Sequence, residues 1–263
     1  MKVEIKKIKD NSLRHFFEFL KKNNFANIVV VGGAVRDLFF QQSPNDIDIA
    51  IKIKMNVDSI EKKYFMSIGK KEMLPIISKI LRPLAKKLQK DVKDFENGNV
   101  VFEGLKIDIL GLNIVASKKY NNLVLPDIFI NKNNNKIYNF NTFLSVNMLG
   151  VDCEGNLYGE PDYLIDIGER VAKLQLNPLS MRLKQILDFI KLRRRHMLRF
   201  DSYTKEYILN YLHRLENDKK LFHKEFYNEN TINLFNNVFN IKNVQDKKVN
   251  HYDIIKKIKG EIL

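Results

Sequence analysis

The sequence is poor in the residues that build disulfide frameworks and membrane spans. A single cysteine, Cys153, occurs among 263 residues, which excludes an internal disulfide and any metal site made of several cysteines. No apolar run reaches the length of a membrane span, because Arg36 and Asp37 interrupt the longest candidate. The opening residues, MKVEIKKIKD, also lack the apolar stretch of a secretion signal. We therefore expect no membrane association and a reducing compartment, such as the cytoplasm.

Negative charge is scarce as well. The chain holds 45 Lys and Arg against 31 Asp and Glu, which gives a net charge of +14 and a pI of about 9.6. Such an excess predicts a polyanionic partner, with RNA or DNA as the first candidate. The alternative is a general bias toward lysine and asparagine, which the asparagine-rich residues 131–135 support.

Apolar residues are present in sufficient number for a folded protein. They make up 44% of the chain, and aromatic residues make up 11%. A chain of this length can bury a core either as one large domain or as two small ones.

The most informative pattern lies near the N-terminus. An apolar, β-branched run, Ile28 to Val31, predicts a buried strand that ends at two glycines, Gly32 and Gly33. A short helix is expected over residues 34–40. A turn is expected at residues 43–45, where proline fixes φ and asparagine can bond its own backbone.

The next predicted strand begins Asp46-Ile47-Asp48-Ile49. Side chains alternate along a strand, so Asp46 and Asp48 share one face. Two carboxylates this close repel each other unless a cation lies between them, and Mg²⁺ prefers hard oxygen ligands. The pattern therefore predicts a magnesium site. The alternative is a surface acidic pair without a metal.

These residues resemble a known catalytic signature. A Gly-Gly turn followed after about a dozen residues by Asp-x-Asp is similar to the DNA polymerase β-like nucleotidyltransferase superfamily. The longer string VGGAVRDLFF…PNDIDIA resembles the head domain of bacterial poly(A) polymerases and class II CCA-adding tRNA nucleotidyltransferases. The resemblance implies an α+β fold: a mixed, mainly antiparallel head sheet flanked by helices over residues 1–150, then an all-α neck and body over residues 151–263.

A third carboxylate fits this resemblance. Residues 99–113 are predicted to form a hairpin that turns at Glu103 and Gly104, and its second strand carries Asp108. An aspartate among apolar strand residues is unfavourable without a partner. We therefore expect Asp108 to join the acidic pair as a catalytic and metal-binding residue.

The resemblance also implies roles for individual residues. Two Mg²⁺ ions, with Mn²⁺ as a possible substitute, would be held by the carboxylates of Asp46, Asp48 and Asp108. An NTP, with ATP or CTP expected, would bind near Gly32, Gly33, Arg36, Asn147 and Arg182. Asp37 is expected to brace its arginine neighbour rather than to act chemically.

The chain departs from the family pattern at two places. Residues 141–143 read Asn-Thr-Phe where the family carries Arg-Arg-Asp, although Ser145 and Asn147 keep related positions. The base-reading Glu-Asp-x-x-Arg-x-x-Arg segment has no acidic pair here, and Arg182 is the main basic residue that remains. The identity of the added nucleotide and of the acceptor therefore stays open.

Amphipathic periodicity predicts most of the remaining structure to be helical. A helix over residues 9–24 is expected to be capped by Asn11 or Ser12, and a helical insertion of unknown role lies within residues 52–97. Further helices are predicted over residues 180–200, 204–215, 222–227, 232–239 and 252–262.

The predicted helix over residues 180–200 carries a basic cluster in its second half. Its RNA-binding candidates are Arg193, Arg194, Arg195 and Arg199. The alternative is an ordinary solvated helix face.

The resemblance, together with the basic helix, implies a template-independent nucleotidyltransferase that transfers NMP to an RNA 3′ end, of tRNA type or poly(A) type. One alternative is a nucleotidyltransferase with a protein or small-molecule acceptor. Another is an RNA-binding protein without catalysis. The oligomeric state is open.

Overall fold

The computed structural model describes residues 2–53, 79, 81–90, 94, 100–109, 114–115, 123–124, 128–131, 137–139, 143–175, 181–241 and 250–263. Two compact units emerge from the contacts. The first comprises Met1–Phe140 and Asn147–Leu164, and the second comprises Asn141–Val146 and Ile165–Leu263. The predicted boundary at residue 150 falls inside the first unit, because the strands at 150–152 and 157–158 extend its sheet.

The strands, in chain order, are β1 (Ile28–Val31), β2 (Asp46–Ile53), β3 (Val100–Phe102), β4 (Leu105–Ile109), β5 (Ile114–Val115), β6 (Leu123–Val124), β7 (Ile128–Asn131), β8 (Ile137–Asn139), β9 (Phe143–Leu144), β10 (Gly150–Asp152), β11 (Leu157–Tyr158), β12 (Val171–Ala172), β13 (Leu174–Gln175) and β14 (Arg199–Phe200). The helices are α1 (Asn11–Lys22), α2 (Gly33–Phe39), α3 (Pro161–Gly168), α4 (Leu183–His196), α5 (Ser202–Asn217), α6 (Lys219–Phe226), α7 (Glu229–Phe239) and α8 (His251–Ile262). Two short 3₁₀ turns lie at Ile5–Lys7 and Ser145–Asn147.

The first unit is organised around a mixed sheet with β1 and β2 at its centre. Within the described residues the strand order is β11-β10-β1-β2-β4-β3, and β7 pairs with β2 while β8 pairs with β7. Strand β2 runs parallel to β4 and to β7, whereas the other pairs of this sheet are antiparallel. This sheet, with helices before it and after β1, confirms the predicted α+β class.

The apolar strand residues explain why β1 and β2 are central. All four residues of β1 are buried, and in β2 the side chains of Ile47 and Ile49 are fully buried. The alternate positions of β2, Asp46 and Asp48, are partly exposed on the opposite face. The sheet therefore presents its carboxylates on one face and an apolar layer on the other.

Helix α1 buries Leu13, Phe16, Phe17 and Leu20, the stripe expected from its periodicity. Its N-cap is Asp10, whose carboxylate accepts a hydrogen bond from the backbone N–H of Leu13 at 2.8 Å. The prediction of Asn11 or Ser12 as the cap was wrong, because an equally good cap residue lies one position earlier.

The predicted insertion within residues 52–97 is described only in part. Residues 81–87 are helical, and Leu81 and Leu84 are buried, as the apolar stripe indicated. The rest of that predicted helix lies outside the described residues.

The second unit is mainly helical. Helices α5 to α8 match the four predicted C-terminal helices within a few residues at each end. Helix α4 is shorter than predicted, because Met197 takes a left-handed conformation with φ of 52° and ends it. The chain then enters β14, which pairs in parallel with β12. The prediction of one helix through Phe200 was therefore wrong at its C-terminal end.

Across the part of the chain that the structure describes, every helix is too short or too polar to cross a bilayer.

Candidate active site

The three predicted carboxylates lie on two neighbouring strands of the first unit. In the parallel pair of β2 and β4, Asp48 lies directly opposite Asp108, and Asp46 lies directly opposite Lys106. Residues opposite each other in a ladder point to the same face, and so do residues two apart on a strand. Three carboxylates and one ammonium therefore share one small patch of the sheet.

Gly32 forms the wall of this patch next to Asp48. Strand β1 ends at Val31, which pairs with Asp48, and Gly32 follows with φ of 69°. A Cβ at this position would lie 3.1 Å from Oδ2 of Asp48. Glycine is therefore favoured here for two reasons, the positive φ of the backbone and the close approach of the carboxylate.

Arg36 is held in place by two partners. Its Nε donates to Oδ1 of Asp37 at 2.8 Å, and its Nη1 donates to Oδ1 of Asn147 at 2.7 Å. Arg36 and Asp37 are both buried. The expected bracing by Asp37 is thus present, and Asn147 joins the same network from the turn that precedes β10. The guanidinium is preorganised by these bonds.

Burial and mutual repulsion perturb the carboxylates. Burial, followed by the charges of Asp46 and Asp108, raises the pKa of Asp48 to about 7. Burial, followed by the charge of Asp108, also raises the pKa of Asp46. The hydrogen bond with Asp108 raises the pKa of Lys106, so its ammonium stays charged. The patch therefore carries negative charge that would be stabilised by cations.

The donor set of this patch fits divalent metal ions. Its carboxylate oxygens are the hard ligands that Mg²⁺ prefers, and the missing Cβ of Gly32 leaves room beside Asp48. A cation already stands in the patch, because Nζ of Lys106 donates to Oδ2 of Asp108 at 2.9 Å. Among the described residues, no three His, Cys, Asp or Glu side chains already converge closely enough to hold an ion together. Asp46, Asp48 and Asp108 are the residues that would hold one.

A second polar cluster on the first unit was not predicted from the sequence. Lys52 Nζ and the Tyr158 hydroxyl each donate to Oδ2 of Asp152 at 2.8 Å. Burial would raise the pKa of Asp152, but hydrogen bonds from Lys52, Asn156 and Tyr158 lower it. This cluster ties β2 to β10 and β11 across β1. Lys52 lies an even number of positions after Asp46 and Asp48 in β2, so its side chain lies on the same face of the sheet. This alternation was the sequence signal from which the position of Lys52 could have been predicted.

The basic residues predicted to bind RNA lie at the end of α4 and just after it, in the second unit. Arg194 makes a paired contact with Glu261, at 2.7 Å from Nη2 and 3.0 Å from Nε, and it also donates to the carbonyl of Val238. Arg193 lies 3.7 Å from the same carboxylate. Arg194 therefore braces α4 against α8. Arg195 and Arg199 are exposed. The RNA-binding role of the four arginines stays a prediction.

Arg182, the predicted base-reading residue, is exposed at the N-cap of α4, and its backbone N–H donates to the Gln185 side chain at 2.8 Å. Most of the segment before it, residues 176–180, lies outside the described residues.

The structure is similar to those of CCA-adding enzymes. A CCA-adding enzyme with CTP matches at a TM-score of 0.55 with 15% identity, covering 98% of this chain and 52% of the other. The Thermotoga maritima CCA-adding enzyme complexed with tRNA matches at 0.56 with 15% identity and the same coverage. An apo CCA-adding enzyme matches at 0.54 with 17% identity, covering 99% of this chain and 54% of the other.

These similarities establish that the chain shares its fold with the matched part of the CCA-adding enzyme structures. The chain spans about half the length of the structures that it matches. No protein-family model matches the sequence. No curated protein matches it either.

Proposed function

We propose that this protein is a metal-dependent nucleotidyltransferase that transfers NMP from an NTP to an RNA 3′ end. The observation that carries the proposal is the placement of Asp46, Asp48 and Asp108 on one face of adjacent strands, beside the glycine turn at Gly32. The similarity of the whole chain to CCA-adding enzyme folds supports the same chemistry.

In this reaction a terminal hydroxyl attacks the α-phosphate of the NTP, and pyrophosphate leaves. Negative charge accumulates on the transferring group, so positioning and electrostatic stabilisation provide most of the rate enhancement. Bound magnesium ions would supply charge neutralisation and would lower the pKa of the attacking hydroxyl. Asp46, Asp48 and Asp108 would hold those ions.

The other residues of the site would position the nucleotide. The turn at Gly32 and Gly33 lets a phosphate approach the backbone without obstruction by a Cβ. Arg36, held on Asp37 and Asn147, places a preorganised positive charge next to Gly33, where it would attract phosphate oxygens. Loss of Asn147 would loosen this guanidinium without removing its charge.

RNA is the proposed acceptor because the chain is strongly basic, with a net charge of +14, and because one structural neighbour was determined with tRNA. The departures from the family pattern at residues 141–143 and in the base-reading segment favour a second candidate. That candidate is a nucleotidyltransferase with a protein or small-molecule acceptor. An RNA-binding protein without catalysis is less favoured, because the burial and the repulsion that raise the pKa of Asp48 oppose folding and need a compensating role.

One experiment separates these candidates. The protein is incubated with each labelled NTP, Mg²⁺ or Mn²⁺ and total RNA, in parallel with Asp46→Ala. We expect metal-dependent labelling of RNA by the wild type alone, and sequencing of the product ends then identifies the added nucleotide. Labelling of a protein band or of a small molecule would move the assignment to the second candidate. RNA binding without any labelling would refute the proposed catalysis.

A further inference from the structure

Lys106 occupies an unusual place among the carboxylates. It lies opposite Asp46 in the ladder of β2 and β4, and it lies two residues before Asp108 on the same strand face. Its Nζ donates to Oδ2 of Asp108 at 2.9 Å. Its ammonium interacts electrostatically with all three aspartates. Among the described residues, Lys106 is the lysine that contacts this acidic patch.

The contact has the character of a replaceable ion pair. The Lys106 side chain is half exposed and that of Asp108 is partly exposed, so the pair is accessible to solvent and to ions. Exposed pairs of this kind contribute little net stability, and a stronger ligand can displace them. The repulsion within the patch nevertheless makes a positive charge at this position favourable.

We propose that Lys106 is a tethered counter-ion, which neutralises the carboxylates when no divalent ion is bound and must be displaced from Asp108 when one binds. The inference rests on the proposed function, because it takes the three aspartates as the metal ligands. Lys106 therefore weakens the binding of a divalent ion, because its ammonium competes for Asp108 and repels an incoming cation.

Two opposite effects follow from replacing Lys106. Without its ammonium, the metal-free protein has uncompensated repulsion among the carboxylates and should unfold at a lower urea concentration. A divalent ion, in contrast, no longer has to displace a competitor and should bind more tightly. A lysine with only a structural role would give the first effect without the second.

The test is a Mn²⁺ titration of the full chain in which free Mn²⁺ is followed by electron paramagnetic resonance. Lys106→Gln should bind Mn²⁺ about three- to tenfold more tightly than the wild type, the scale set by one exposed ion pair and one removed like charge. Lys106→Arg keeps the charge and should stay close to the wild type. In urea unfolding with EDTA present, Lys106→Gln should have a lower midpoint than the wild type.

Lys21→Gln is the matched control, because Lys21 is also an exposed lysine of the first unit with a carboxylate partner, Glu154, at 3.1 Å. It should leave Mn²⁺ affinity close to the wild type, which separates a local effect from the change in net charge. Suppose that the wild type binds Mn²⁺, that Asp48→Asn does not, and that Lys106→Gln binds it no more tightly than the wild type. This result overturns the role of Lys106 and leaves the proposed function standing. Wild-type binding that survives Asp48→Asn overturns both.

Discussion

Asp48→Asn should stabilise the metal-free protein while it removes activity. Asp48 has a pKa of about 7 in the folded protein, against an ordinary value of 3.8. A group with a raised pKa favours folding below its ordinary pKa, and this contribution is lost as the pH rises through the folded value. The ionised Asp48 therefore opposes folding most strongly above neutral pH, and an amide at this position cannot ionise.

The size of the gain follows from that difference in pKa. The full difference corresponds to about 4 kcal/mol, and partial exposure of the side chain to solvent reduces this to about 2 kcal/mol. We expect Asp48→Asn to be more stable than the wild type by about 2 kcal/mol near pH 8 and by less than about 1 kcal/mol near pH 5. The assay is urea unfolding in EDTA at both pH values, followed by circular dichroism.

Asp152→Asn is the matched control, because its pKa is lowered rather than raised. Asp152 stabilises the folded protein above its ordinary pKa, and this contribution is lost in acid, so its replacement should be destabilising near neutral pH. An Asp48→Asn protein that is no more stable than the wild type near pH 8, or a gain that grows toward acid pH, would show that ionised Asp48 does not oppose folding.

Three other substitutions test the surroundings of the site. Gly32→Ala should lower both the urea midpoint and the labelling activity, because φ of 69° and the 3.1 Å approach to a carboxylate oxygen both disfavour a methyl group; a stable and active variant would contradict this. Asp37→Asn should cost about 1–3 kcal/mol in unfolding free energy, because it removes the charged acceptor of the buried Arg36; an unchanged midpoint would show that the pair contributes little. Glu261→Gln should cost at most about 1 kcal/mol at neutral pH, since its pair with Arg194 is partly exposed. Arg194 lowers the pKa of Glu261, so the difference from the wild type should shrink in acid, and a constant difference would contradict the assignment.

Local sequence signals predicted much of the first unit and the C-terminal helices of the second. The buried strand at Ile28 to Val31, the glycine turn, and the hairpin with its turn at Glu103 are set by apolar runs and by backbone conformation. The four C-terminal helices follow from apolar spacing. In these segments local preference and tertiary packing agree, so each could be predicted without knowledge of the rest of the chain.

The pairing between distant segments was harder to predict. The pattern placed Asp108 on a neighbouring strand, but its register opposite Asp48 depends on a parallel ladder across about sixty residues. The contacts of Lys106 and of Lys52 were not predicted, because an exposed-looking lysine in a strand has no sequence signal for its partner. Met197 likewise ends a helix in a left-handed conformation that methionine rarely adopts.

The similarity in fold and the site geometry support different parts of the account. Fold similarity covers nearly the whole chain but comes with 15% to 17% identity among the three structures compared, so it carries the architecture alone. The reaction is inferred from the carboxylates on β2 and β4 and from the glycine turn beside them. The proposal of an RNA acceptor draws on the net positive charge of the chain.

We propose that Asp46, Asp48 and Asp108 act as one unit in nucleotidyl transfer. The rate of label transfer from NTP, measured in the three single alanine variants and in the triple variant, tests this proposal. Residues that act together lose nearly all activity when any one is removed, so we expect each single variant to be about as inactive as the triple variant. A wild-type rate in Asp108→Ala would contradict this proposal. So would a triple variant whose loss of rate equals the product of the losses in the three single variants.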